Sequence, residues 1–486
     1  MGKDLTKGPI TKTLILFALP LMGGNALQSL DLTVNQIWVS HTLGAAAVTA
    51  LGNANIVMFL MLGGIFGVGI AANILVAQAV GARDYPLVKR VMGTTTFFFI
   101  LLSLVLATLG IVFSPKILEL MGTPIQARED AIIYLRVSFS AVPFMYFFMF
   151  MQMAQRGAGD STTPFYFMAV SVVIDVSLNP MLIRGIGPFP RMGVAGSATS
   201  TLVAQSVALI AMMIWLYRHK SVLVLHRSEL RLLKPDFAIF RSIVTRGVPM
   251  GVQMFVVSGT SLVMVSFVNR YGYLTSAAYS IASIIWSYVQ IPTMAIGASV
   301  SSMSGQNVGA DLWDRVAKIA RSGVGTALIV STSVTILLYI FNHQVLTILL
   351  PSSSPAVPLA SHINEMVLWG FVIFSITFAL NGVIRSTGAV WAPLIILSVS
   401  MIGVRIPFAA LMIPRFGENA IWWSFPLGTI TSAILTSIYY KTGIWKKAKM
   451  LEEKPRGSAV DSGLATPAMT PPDADRAAAD ALAAEG

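Results

Sequence analysis

Two short stretches, QSLDLTVNQIW (28–38) and VVIDVSLNP (172–180), each hold a carboxylate and an amide four residues apart: Asp31 with Asn35, and Asp175 with Asn179. That spacing puts both members of a pair on one helical face. Of the 21 acids in the chain, only Asp31 and Asp175 sit well inside long apolar runs. A carboxylate is costly to keep in hydrocarbon, and intramembrane acids mark cavities and proton paths. If the two pairs face each other, desolvation and mutual repulsion favour the protonated form of at least one carboxyl. A carboxyl that holds a proton near neutral pH can exchange it for a cationic substrate or for sodium, which is the coupling step of an antiporter. The plainer reading is a set of satisfied interhelical polar contacts; it competes evenly for the two amides taken alone and less well for the acids, whose retention costs more.

The elements that must position these groups follow from composition. The chain has 486 residues, 55% hydrophobic and 11% charged, with mean hydropathy +0.75. Soluble domains are about 25% charged, so an all-α polytopic membrane protein is expected. At about 20 residues per crossing, twelve spans are predicted, from 13–40 to 419–442. The first is too long for a signal-peptide core and no small-residue cleavage site follows it. Zero Cys excludes a disulfide framework, a thiolate nucleophile and a Cys metal site. With the N-terminus placed inside, 25 of the 33 Lys and Arg fall in inner segments, seven in outer loops, and Arg405 lies within a span. By the positive-inside rule both termini are then cytoplasmic, in a plasma membrane. The net charge of +12 is explained by an anionic leaflet rather than by nucleic acid.

The chain also repeats itself. ALPLMGGN (18–25) recurs as GVPMGVQM (247–254), AQAVGA (77–82) as GQNVGA (305–310), and QRGAGDSTTP (155–164) as IRSTGAVWAP (384–393), at an offset of 228 or 229 throughout. Each half therefore carries six spans, and because six is even the halves are parallel repeats, an arrangement that forms a central cleft and rocks for alternating access. The expected organisation is a six-helix lobe over 1–217, a basic cytoplasmic link over 218–241, a second lobe over 242–445 and a disordered tail over 446–486, whose Ala/Pro/Asp/Thr-rich composition cannot bury a core.

GQNVGA, QRGAGDSTTP, VAQAVGARD, LNPMLIRGIGPFPRMGVAG (178–196) and MIGVRIP (401–407) together resemble the multidrug and toxic compound extrusion (MATE) transporters. The resemblance implies a V-shaped two-lobed exporter that uses an ion gradient to expel amphipathic, often cationic, compounds. It differs in detail. Similar transporters place the span-1 acid where this chain has Asn35, after Val34. In the branch resembling DinF, span 5 runs Asn-x-x-x-Asp-Pro, where this chain has Asp175 and Asn179-Pro180. Each acid sits one turn nearer the N-terminus of its helix, with the face and the group count kept. The branch similar to the norfloxacin exporters has an acid in span 7 at the place of Val257, and spans 7 and 8 here hold none. Coupling is thus expected in the first lobe, near the DinF-like branch. The resemblance further implies Gln28, Met58 and Met168 as substrate-lining residues.

Pro20 and Pro249 remove backbone hydrogen bonds within spans 1 and 7, and Pro20 is a candidate hinge. Arg405 could meet an anionic substrate; pairing with a nearby acid or carbonyl, or snorkelling outward, is the expectation preferred here. The 25 Met residues read mainly as core and lipid filler. Asp160, Ser161 and Thr162 read as caps for the helix that Pro164 opens. The leading function is a monomeric cation-coupled exporter with small-molecule substrates, without metal or cofactor. A lipid-linked saccharide flippase would want several buried cations for phosphate, and Arg405 alone is found. An intramembrane enzyme finds no nucleophile motif and no metal cluster, since His41, His219, His226, His343 and His362 fall in loops or at span ends.

Overall fold

The structure, a computed structural model, describes residues 2–43, 45–123, 125–349 and 353–451. The first half holds α1 (Ile10–Leu43), α2 (Ala45–Gly81), α3 (Tyr85–Leu120), α4 (Ile125–Gly157), α5 (Thr162–Arg184) and α6 (Val194–Arg218). The second half holds α7 (Phe237–Asn269), α8 (Tyr273–Gly309), α9 (Trp313–Ile340), the short α10 (Asn342–Leu349), α11 (Ala356–Arg385), α12 (Trp391–Ser398), α13 (Ile406–Phe416) and α14 (Asn419–Thr442). A π-helical stretch, Val399–Arg405, joins α12 to α13 into one crossing. Twelve helical spans are long and apolar enough to cross a membrane, and no strand occurs among the described residues. The fold is therefore an all-α membrane protein of two parallel six-span repeats.

The repeat is visible in packing. In the first half α2 lies against α4, α4 against α3 and α6, and α1 against α5; in the second, α8 lies against α11, α11 against α9 and α14, and α7 against α12. The halves exchange contacts reciprocally, α2 on α7 and α1 on α8. After the AQAVGA and GQNVGA motifs, Arg83 and Asp311 take the same left-handed turn, with φ of 57° and 59°. Outward faces stay apolar where lipid is the solvent: on α3, Leu104 is 53% and Val112 is 60% exposed.

The motifs at the helix ends lock the two halves on the face that carries the N-terminus. Gln78 Nε2 donates to the Ser386 carbonyl at 2.7 Å, and its counterpart Gln306 Nε2 donates to the Gly157 carbonyl at 2.9 Å. A Cβ at Gly81 would stand 1.9 Å from the Gln306 oxygen, and one at Gly309 would stand 2.0 Å from the Gln78 oxygen. Only glycine permits that approach. The N-terminal segment adds to this closure: Leu5 is fully buried, its amide donates to Gln306 Oε1, and Asn307 donates to its carbonyl.

Three boundaries differ from expectation. The link between halves runs over 219–236 rather than 218–241, because Asp236 caps α7 through the Ala238 and Ile239 amides. The link is docked on α3: it forms a 3-10 turn over Arg227–Leu233, Lys89 bonds both the Val224 carbonyl and Glu229, and Arg90 pairs with Asp236. At the far end, residues 446–450, expected to begin the tail, belong to the fold. Trp445 stacks on Tyr440, Met450 is 3% exposed, and Ser242 Oγ donates to the Met450 carbonyl. Aromatic stacking holds a segment that composition alone marks as tail. The remainder of the expected tail, 452–486, lies outside the described residues. Finally, the span expected at 390–413 is not one regular helix, since its middle is the π stretch.

Candidate functional site

Asp175 sits on the face of α5 that packs against α6 and is 2% exposed. Its carboxylate accepts three hydrogen bonds, from Ser200 Oγ at 2.5 Å, Thr201 Oγ1 at 2.9 Å and Asn35 Nδ2 at 3.2 Å. Ser200 and Thr201 are on α6, Asn35 on α1. Asn179, one turn along α5 and fully buried, donates to Asn35 Oδ1 at 2.5 Å and to Ser197 Oγ at 3.2 Å. Three helices thus meet in one chain of polar groups. Charge-assisted bonds of this kind are the strong ones, and in a low-dielectric site each satisfied donor raises the cost of disrupting the network.

Asp31 lies one turn before Asn35 on α1 and within electrostatic range of Asp175. Its Oδ1 is buried and accepts no hydrogen bond, and the buried Asn179 Oδ1 likewise has no donor. The cluster therefore holds two oxygens that can only accept, next to a carboxylate already supplied with donors. A proton on Asp31, or a hard cation, is the chemistry such a vacancy of donors can take. Among the described residues no group of three or more His, Cys, Asp or Glu could hold a metal ion.

α1 itself bridges the halves. Near its start, Leu14, Phe17, Ala18 and Leu21 pack with Ala295, Ile296, Val300 and Met303 of α8 and with Val383 of α11. Farther on, Val39 packs with Ile183 of α5 and Val194 of α6. Pro20 lies in the first zone, and the helix continues through it. Gln28 is exposed, Met58 and Met168 are half-buried, and none of the three lines the large cavity described next. Asp160 Oδ1 caps α5 by accepting from the Thr162 and Thr163 amides.

A cavity of about 840 Å³ lies mainly in the second half, with Phe66 and Ile70 of α2 on its border. It runs from Asn269 and Ser276 at one end to Gln253 and Arg385 at the other, walled by Tyr279, Trp286, Phe371, Phe374 and Phe425. Arg405 lines it and is 8% exposed. Among the described residues the expected acid or carbonyl partner is not found. The guanidinium carbon of Arg405 instead stands 3.4 Å from the Phe425 ring centroid, Nη1 reaches the Met401 sulfur at 3.6 Å, and Nε has no acceptor. Nor does the side chain snorkel, because α14 covers it.

A family model described as MatE matches residues 20–181 and, separately, 249–411. The chain belongs to the MATE family. The two matches begin at Pro20 and Pro249, so each repeat is one copy of the family unit. Among relatives, the chain is 33% identical to Probable multidrug resistance protein YoeA of Bacillus subtilis (strain 168), covering 92% of this chain and 96% of that one. It is 30% identical to Probable multidrug resistance protein YpnP of the same organism, covering 93% and 99%. Among solved structures, a MATE protein in the bent conformation superposes with a TM-score of 0.83 at 20% identity, over 91% of this chain and 98% of that chain. This MATE protein is accordingly a multi-pass membrane transporter and not an enzyme, and the saccharide-flippase alternative is not favoured.

Sequence reasoning missed the α6 hydroxyls that hold Asp175 and the second-half cavity. A signal for the first was available: Ser197, Ser200 and Thr201 follow the i, i+3, i+4 spacing of one helical face.

Proposed function

We propose that this MATE protein is a secondary antiporter that exports amphipathic compounds, cationic ones among them, in exchange for protons, with sodium the second candidate for the coupling ion. The observation that carries the reading is the contrast between two neighbouring carboxyls: Asp175 accepts three donors, while the buried Asp31 Oδ1 accepts none. Asp175 is the fixed anchor and Asp31 the exchange group. A proton reaching Asp31 removes a charge beside Asp175, releases any cation held there, and changes what Asn35 and Asn179 must solvate. The names of the relatives support export of drugs. Gln28, one turn before Asp31, would meet substrate first, with Met58 and Met168 as adaptable apolar neighbours.

α1 transmits the change. Its first turns belong to a core shared with the second half and its later turns to the first-half cluster, so a bend at Pro20 would let one end follow protonation while the other stays docked. The protein is proposed to act as a monomer in the plasma membrane, with the closed face that carries the N-terminal segment toward the cytoplasm. Asp31→Asn and Asp175→Asn should each abolish gradient-driven efflux at unchanged expression. Wild-type efflux in both variants would discard the mechanism.

A further inference from the structure

The two repeats place opposite charges at equivalent points. Counting from the prolines that match between halves, Asp175 is 11 residues beyond Pro164 and Arg405 is 12 beyond Pro393. The π stretch ending at Arg405 absorbs the extra residue, so the arginine comes to the level and face that the aspartate holds. Such π insertions recur at functional sites. The next helix gives an independent register. Gly193, which caps the start of α6, and Gly417, which ends α13 two residues before α14, share one unusual conformation, φ 55°, ψ −131° and φ 59°, ψ −140°. Eight residues on from each stand Thr201 and Phe425. Thr201 donates to the Asp175 carboxylate; Phe425 offers its ring face to the Arg405 guanidinium. One half cradles an anion with hydroxyls, and the other cradles a cation with an aromatic face.

We propose that the second-half cavity is a binding site for an amphipathic organic anion, an aromatic body bearing a carboxylate or sulfonate, with its head on Arg405. Arginine presents a planar fork that matches such a head in bidentate fashion. Among the described residues Arg405 has no ion pair, its Nε is unpartnered, and no Asp or Glu lines the cavity. A second polar anchor lies at the closed end, where Arg385 donates to Gln253 Oε1. Gln253 is 5% exposed, and its Nε2, Asn381 Oδ1 and Arg385 Nε all lack partners. Between these ends Trp286 meets Phe425 edge-on at 4.8 Å and Phe371 at 5.9 Å, a surface for an aromatic body. The volume suits a small organic ligand, since such sites span about 300–1,000 Å³. A cationic ligand would face two arginines and compete with Arg405 for the same ring.

The inference rests on the export reading only for the direction in which the anion travels, and equilibrium binding needs no gradient. Full-length protein in phosphatidylcholine nanodiscs should bind 1-naphthalenesulfonate more tightly than 1-naphthylmethylammonium, a probe with nearly the same body and opposite charge. Arg405→Met should weaken the sulfonate roughly ten- to hundredfold, the range for one charge-assisted contact, and Arg405→Lys should restore most of it. Asp175→Asn should leave it unchanged. Should Arg405→Met fail to fold, Val257→Asp puts an acid on the cavity wall away from the arginine and should reverse the preference between probes. Equal binding of the two probes, sulfonate affinity indifferent to Arg405→Met, or affinity lost when phosphatidylglycerol is added to the nanodisc would each overturn the proposal, the last by assigning the site to a lipid headgroup. Such a result would leave the Asp31 and Asp175 efflux assay untouched.

Discussion

Gly309→Ala should open the closed face. The added carbon would stand 2.0 Å from the Gln78 oxygen, and the next nearest atoms are also Gln78 backbone, at 2.7 and 2.8 Å. Helix backbone has no rotamer with which to give way, so reaching ordinary contact near 3.4 Å requires the helices to part by about 1.4 Å, on the scale of core overpacking that costs about 1–3 kcal/mol. Parting also breaks the Gln78–Ser386 and Gln306–Gly157 hydrogen bonds, each contributing about 0.5–1.5 kcal/mol. Together the closed state should lose about 2–6 kcal/mol, roughly thirtyfold to twenty-five-thousandfold in its population relative to the alternative. Because the chain contains no Cys, a single reporter is simple to introduce. Ser261→Cys lies on the wall of the second-half cavity, and its labelling by a membrane-impermeant maleimide, added on the side opposite the N-terminal segment, should slow at least tenfold in Gly309→Ala. Gly81→Ala should do the same through the reciprocal contact, and the double variant should add little, since one separation relieves both clashes. Unchanged Ser261→Cys labelling, or additive effects of the two alanines, would refute the reasoning.

Further outcomes follow from other contacts. Ser200→Ala and Thr201→Val each remove one donor to Asp175, about 1.5–3 kcal/mol for a bond to a charged group, and should cut efflux from everted vesicles about tenfold or more without loss of folded protein. Pro20→Ala should lower transport while leaving equilibrium binding of 1-naphthalenesulfonate within about twofold, because the cavity does not involve α1; equal losses in both would deny Pro20 a hinge role. Docking of the link should be acid-sensitive. Burial works against the Glu229 and Asp236 charges, but hydrogen bonds from Lys89 and the His226 amide to the first, and from Arg90 and the Ile239 amide to the second, hold both carboxyls below the ordinary 4.5 and 3.8. Depressed folded-state values mean that the contribution is complete above about pH 4.5 and fades as pH falls through them. Hydrogen exchange over 219–236, corrected for its intrinsic pH dependence, should lose protection only below about pH 4.

Hydropathy made the twelve spans legible, because a bilayer demands one long apolar helix per crossing. The repeat was legible because glycine and glutamine recur where two helix ends must touch. Asp31, Asn35, Asp175 and Asn179 could be picked out as acids and amides with no reason to be in lipid, and the structure brings Asn35, Asp175 and Asn179 into one hydrogen-bonded chain with Asp31 beside it. What was hidden depends on packing across long separations. The π stretch inserts one residue without altering hydropathy. Arg405 was expected to pair with an acid or carbonyl or to snorkel outward, and its neighbour is an aromatic ring from α14, which no local pattern announces. The link read only as a basic connection because its docking depends on Lys89 and Arg90 meeting Glu229 and Asp236 across more than a hundred residues of chain.

The central claim is that the Asp31 and Asp175 cluster couples export to a proton. Proteoliposomes loaded with substrate and given a proton gradient or a sodium gradient separately test it most directly. Flux should be driven by the proton gradient, little by sodium, and should vanish in Asp31→Asn. Proton-driven flux at the wild-type rate in both Asp31→Asn and Asp175→Asn would contradict it.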